Sequence, residues 1–119
     1  MNILVVDDNE SIRDMIKFIL ESRAHKVSLA VDGFEALAMI QKSDHPYDAL
    51  LTDYNMPNMT GKELIEKIIE QNLEIKKILM FSGEDTNEVK MESLLNQYRY
   101  IKFMAKPIEF DEVLKLLAS

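Results

Sequence analysis

The chain reads as an α/β protein, an open, doubly wound parallel sheet with helices on both faces. Strand-like and helix-like segments alternate along all 119 residues, the pattern left by repeated βαβ units. Four of the apolar runs also stop at a polar residue of distinct chemistry. Ile3 to Val6 ends at Asp7 and Asp8, Leu50 and Leu51 lead through Thr52 to Asp53, Ile78 to Phe81 meets Ser82, and Ile101 to Ala105 meets Lys106 and then Pro107.

The first strand is expected near residues 2–7. Ile12, Met15, Ile16, Ile19 and Leu20 then follow i, i+3, i+4, i+7, i+8 spacing, with Arg13, Asp14, Lys17 and Glu21 turned outward, so an amphipathic helix follows. A second strand at 27–31 leads through Asp32 and Gly33 into a helix whose inner stripe is Phe34, Leu37 and Ile40. The third strand, 48–53, precedes a helix that sets Leu64, Ile65, Ile68 and Ile69 against Lys62, Glu66, Lys67 and Glu70. Beyond a fourth strand at 77–82, residues 86–97 keep Val89, Leu94 and Leu95 but are otherwise polar, and are read as a fourth helix. A fifth strand at 100–105 and a fifth helix with Phe110, Val113, Leu114 and Leu117 on one stripe complete the series at Ser119. No repeat, low-complexity tract or linker interrupts it, so residues 1–119 are expected to form one domain, long enough to bury a two-sided core without disulfides.

The bulk numbers narrow the partners. Fourteen Lys and Arg against 21 Asp and Glu give a formal charge of −7, and the basic residues are scattered. Nucleic acid and anionic membrane both call for a concentrated positive face, so neither is expected as a partner. Cysteine is absent, which removes disulfides and thiolate metal sites and suits a reducing compartment. Only Met1 and Asn2 precede the first apolar run, and two aspartates cut that run short, so no signal peptide is expected. No run approaches the ~20 apolar residues of a membrane span. A cytoplasmic protein is the expectation.

In an open parallel sheet the carboxyl ends of the strands share one edge, and ligands bind there where the strand order reverses. Asp7, Asp8, Asp53, Ser82 and Lys106 would converge on that edge. Clustered carboxylates raise one another's pKa unless a cation neutralises them. Mg²⁺ takes hard oxygen ligands, keeps several waters, and is typically held by one or two carboxylates plus a phosphate. Taken singly, each residue also has a plainer use. Asp7 and Asp8 could solvate a loop or begin a helix cap, Ser82 could cap a turn before Glu84 and Asp85, and Lys106 could simply snorkel at a strand end.

As a set, these residues resemble the receiver domain of the bacterial response-regulator family, and the chain is similar over its whole length to the stand-alone chemotaxis-type receivers. The likeness is carried by Asp7 and Asp8, by the segment from Thr52 to Gly61 with Met56 and Pro57 behind Asp53, by Ser82 before Gly83, and by Lys106 and Pro107. Asp32, Gly33, Glu35, Ala36 and Leu37 also resemble the opening of the family's second helix. The resemblance implies a flavodoxin-like five-stranded sheet of order 2-1-3-4-5. It implies that Asp53 is the phosphoacceptor, taking a phosphoryl group from the phosphohistidine of a sensor histidine kinase or a phosphotransfer protein. Mg²⁺ would be held by Asp8, Asp53 and the backbone carbonyl of Asn55, with Asp7 acting through water. Lys106, after a cis peptide bond to Pro107, and Ser82 would contact the phosphoryl group. Phe103 would turn inward on phosphorylation, although a permanently buried core Phe suits the position equally. Asn55 and Glu84 would tune how fast water removes the phosphate.

The function so implied is a phosphorylation-dependent switch, not an enzyme with a separate small-molecule substrate, which controls an output protein through the fourth helix, fifth strand and fifth helix. One departure is that Asn96, Gln97, Tyr98, Arg99 and Tyr100 stand where the family commonly has a Gly-containing turn. Three other readings compete with this one. A Mg²⁺-dependent phosphatase or phosphotransferase of the haloacid-dehalogenase type wants a second acid two residues after its nucleophile, where Asp53 has Asn55 and Asp7 has Asn9. A flavodoxin-like cofactor carrier wants a phosphate-cradling first loop, which Asp7, Asp8, Asn9 and Glu10 make anion-repelling. A phosphorelay shuttle would share the site but lack a remodelled output face.

Overall fold

A computed structural model describes residues 1–82 and 101–118. The helix expected at 86–97, Gly83, Glu84 and the departure at 96–100 lie outside the described residues. The described elements are β1 (Asn2–Val6), α1 (Glu10–Glu21), β2 (Lys26–Ala30), α2 (Gly33–Lys42), β3 (Tyr47–Asp53), α3 (Gly61–Glu70), β4 (Ile75–Ser82), β5 (Ile101–Ala105) and a C-terminal helix (Phe110–Ala118). All strand pairings are parallel, in the order β2-β1-β3-β4-β5. This is the flavodoxin-like order that the resemblance implied.

Alternation along the strands divides the core into two layers. Leu4, Val6, Leu50, Ile78 and Met80 pack under α2 and α3 with Ala36, Ile40, Leu64, Ile65 and Ile68. Ile3, Val5, Ala49, Leu51, Leu79 and Phe81 face the other way, against Ile16 and Leu20 of α1 and Val113 and Leu117 of the C-terminal helix. Because successive side chains of a strand point to opposite faces, each central strand must be apolar throughout, which is why these runs lack the polar alternation of a one-sided sheet.

The helices start where the chain supplies a cap. Asn9 accepts from the N–H of Ile12 at 3.1 Å, Asp32 from Glu35 at 2.8 Å, and Thr60 and Glu63 form a reciprocal capping box. At the far end of the sheet Lys77 donates to the carbonyls of Leu116 and Leu117, at 3.1 and 3.0 Å, placing positive charge on the negative end of the C-terminal helix. Ala24 adopts φ 66, a left-handed backbone in which a Cβ costs on the order of 1 kcal/mol. No helix among the described residues is long and apolar enough to cross a membrane.

Two helices bury a narrower stripe than their spacing predicts. On α1, Ile16 and Leu20 are buried, but Met15 is 45% exposed and the neighbouring Phe18 is 75% exposed. On α2, Gly33, Ala36 and Ile40 face the core while Phe34 is 55% exposed. The cause at α2 is a close approach: a Cβ on Gly33 would stand 2.7 Å from the Met59 sulfur, so the loop after β3 lies directly over the first turn of the helix. That loop covers Gly33 and leaves Phe34 outside. Arg13, expected to point outward, is half-buried instead and reaches back across the strand end.

Candidate functional site

The sheet register sets the site. Val6, Thr52, Met80 and Phe103 form one row across β1, β3, β4 and β5, and the next row holds Asp53, Phe81 and Met104. Asp53 is thus the last residue of the central strand, at the edge where β1 and β3 mark the reversal of strand order. It is 5% exposed. Its Oδ2 lies 3.2 Å from the Lys106 ammonium, while Oδ1 is buried and has no hydrogen-bond partner among the described residues. A buried carboxylate oxygen left this way is costly unless something else binds it.

One ligand atom from each of Asp7, Asp8 and Asp53 falls within 4.8 Å of the others. The two adjacent aspartates are not equivalent. Asp7 is 4% exposed, its Oδ1 accepts from the N–H of Asn9 at 2.8 Å, and its own N–H donates to the Ala30 carbonyl at 3.3 Å. Asp8 is exposed. Burial pushes the Asp7 carboxyl above the ordinary 3.8; the Asn9 N–H opposes this, the charge of Asp53 adds to it, Lys106 pulls down, and Asp8 adds a little more. An acidic, partly desolvated trio with an orphaned oxygen fits a small hard divalent cation.

Lys106 follows the end of β5, and its main-chain N–H donates to the Ser82 carbonyl at 2.8 Å, so the ends of β4 and β5 are tied together. The Lys106–Pro107 bond is cis. Ser82 closes β4 and is 2% exposed. Asn55 is exposed in the loop behind Asp53. Phe103 is half-buried against the α2 and α3 layer, so it is neither a free surface ring nor a fully enclosed one. His25 and His45 stand before the starts of β2 and β3, at the opposite edge of the sheet from the site.

The site also uses residues that the spacing did not single out. Gly61 sits so close beneath Asp53 that a Cβ there would be 2.5 Å from its carbonyl oxygen and 3.1 Å from Tyr54 Cα. The Gly61 N–H also donates to the Tyr54 carbonyl at 2.8 Å, which closes the loop against the strand end. Arg13 donates from Nη1 to the main-chain carbonyl of Asp7 at 2.6 Å. Helical periodicity cannot signal that contact, because a long flexible side chain can lie back along the helix from an outward position.

The profile of the response regulator receiver domain family matches residues 3–118. The chain belongs to this family. It is therefore a phosphorylation-dependent signalling module of the two-component type. The receiver is 35% identical over 95 residues to chemotaxis protein CheY-3 of Vibrio cholerae, covering 78% of this chain and 72% of that protein. Among solved structures, it matches the receiver domain of Francisella response regulator 1452 with a TM-score of 0.84 at 29% identity, covering 98% and 93% of the two chains. Vibrio cholerae CheY4 matches with 0.82 at 35%, covering 98% and 95%. Similar sequences also occur inside larger proteins. The receiver spans 18% of a putative transcriptional regulator of Haloferax volcanii and 17% of the CAI-1 autoinducer sensor kinase/phosphatase CqsS of Vibrio cholerae, at 33% identity to each. Receiver domains bind Mg²⁺ at an acidic pocket, which the aspartate trio provides here, and they interact with sensor histidine kinases and output proteins.

Proposed function

We propose that Asp53 accepts a phosphoryl group from the phosphohistidine of a sensor histidine kinase or phosphotransfer protein, and that the phosphate changes the face around β5 to control an output protein. The observation that carries this is the state of the Asp53 carboxylate: buried, with one oxygen held by Lys106 and the other unpartnered among the described residues. In the transfer, the Asp53 oxygen attacks phosphorus in line, the phosphorus–nitrogen bond of the donor breaks, and the imidazole leaves and takes up a proton from solvent. The acceleration comes from positioning and charge neutralisation more than from covalent chemistry.

The residues divide the task. Lys106 neutralises charge on the phosphoryl oxygens, and the Ser82 hydroxyl donates to one of them. Asp8 and Asp53 would hold Mg²⁺ with the Asn55 carbonyl, and Asp7 would act through water. The metal, when bound, supplies electrostatic stabilisation of the phosphoryl oxygens. Asn55, and Glu84 outside the described residues, tune how readily water removes the aspartyl phosphate, so the receiver dephosphorylates itself to some extent. Moving a two-state equilibrium from 1:99 to 99:1 takes about 5.5 kcal/mol, whereas a hydrogen bond to a charged group contributes roughly 1.5–3 kcal/mol. Ser82 alone is too weak, so Lys106 contact and inward packing of Phe103 provide the remainder. The site works in a chain that acts as one domain in the cytoplasm.

Incubation with acetyl phosphate and Mg²⁺ should add one phosphate to the wild-type protein and none to Asp53→Asn, read by intact mass. Equal labelling of both proteins would refute the assignment.

A further inference from the structure

We propose that Arg13 is a positioning residue of the metal site, fixing Asp8 through the backbone of Asp7; this rests on the phosphoacceptor reading above. Its guanidinium donates to the Asp7 carbonyl at 2.6 Å across six residues of chain, from a half-buried place at the end of the first turn of α1. The carbonyl of Asp7 and the N–H of Asp8 belong to one planar peptide unit. Holding the oxygen therefore holds the plane, and with it the direction in which Asp8 leaves the strand end.

The other polar groups of Asp7 are also held: its N–H by the Ala30 carbonyl at 3.3 Å and its carboxylate by the Asn9 N–H at 2.8 Å. Asp8, by contrast, is exposed, and Arg13 is bonded to the peptide that carries it. Arg13 is thus the side chain that couples helix α1 to the peptide carrying the exposed ligand. Groups behind metal ligands commonly matter to affinity by 10–100-fold when removed, because the ligand then has to be ordered at the moment of binding.

The sign of the effect separates positioning from charge. Deleting a cation beside three carboxylates should, by Coulomb's law alone, tighten binding of a divalent cation. Loss of positioning should weaken it. Arg13→Met keeps an unbranched apolar stem for packing but no donor, and Arg13→Lys keeps a donor and the charge. Calorimetric titration of the unphosphorylated proteins with Mg²⁺, with amide shifts of Asp8 and Asn9 followed in parallel, should show a Kd about tenfold higher for Arg13→Met, nearly wild-type for Arg13→Lys, and melting temperatures close together. An unchanged or lower Kd for Arg13→Met would overturn this inference while leaving the phosphoacceptor reading standing. A wild type that binds no Mg²⁺ would overturn both, and absent labelling by acetyl phosphate would show the same failure independently.

Discussion

On the β5 side of Asp53, Lys106 places its ammonium 3.2 Å from one carboxylate oxygen, whereas on the β1 side the side chains brought to the same edge are two further carboxylates. One flank of the site is neutralised by the protein itself. The other concentrates negative charge, and burial with the neighbouring aspartates already pushes the Asp7 carboxyl upward. The contrast teaches that this edge is built to be completed: the basic flank is ready to meet an anion, and the acidic flank to draw a cation. A phosphoryl group together with Mg²⁺ satisfies both at once.

Breaking the basic flank should have the largest effect. Lys106→Ala removes the cation that meets Asp53 from the end of β5 and should slow phosphorylation by acetyl phosphate by about 10²-fold, measured from the rate of intact-mass labelling. Labelling at the wild-type rate would mean that the acidic flank and its metal suffice alone. On the acidic flank, Asp8→Ala should raise the Kd for Mg²⁺ by about tenfold or more and Asp7→Asn by less, read by titration. The reverse order would exchange their roles as direct and water-mediated ligands.

The floor beneath both flanks offers a further test. Gly61→Ala would force a methyl against the Asp53 carbonyl, an overpacking of the kind that costs roughly 1–3 kcal/mol, and should lower the denaturant midpoint as well as the labelling rate. A silent substitution would show that the loop shifts freely and does not fix Asp53.

The smallest effect concerns pH. Because the Asp7 carboxyl titrates above its ordinary 3.8 in the folded protein, the folded state holds more protons than the unfolded one between those two values. Stability of the metal-free receiver should therefore fall as pH rises through that window, and the charged Asp7 should remain a cost at neutral pH. Asp7→Asn should melt a few degrees higher than wild type near pH 7 without metal, and the difference should vanish below pH ~3.5, where both side chains are neutral. A lower melting temperature for Asp7→Asn at neutral pH would show that its charge is compensated within the protein.

Much of this arrangement was legible in the chain because strand alternation and strand ends leave clear marks. The apolar runs located all five strands to within one or two residues, and the polar residue ending each of four runs pointed to the edge that gathers Asp7, Asp8, Asp53 and Lys106. What escaped was set by contacts between elements. Phe34 and Met15 fit a helical stripe yet lie largely exposed, since a one-dimensional period says nothing about how wide a face the sheet can cover. Arg13 looked like a solvated charge because its bond to the Asp7 carbonyl depends on how α1 leans on β1. Gly61 entered only as the end of the segment behind Asp53 that resembles the family, because its structural reason is a backbone 2.5 Å from where its Cβ would stand. The cis Lys106–Pro107 bond was expected only through family likeness, not from local residue preferences.

The central claim, that Asp53 carries the phosphate, is tested most directly by trapping the acyl phosphate. Borohydride reduces an aspartyl phosphate to homoserine and leaves free carboxylates untouched, so the modified residue can be read by peptide sequencing. After treatment with acetyl phosphate and Mg²⁺, homoserine should appear at position 53 and at neither 7 nor 8. Homoserine at Asp7 or Asp8, or a borohydride-resistant phosphate on a hydroxyl such as Ser82, would contradict the account.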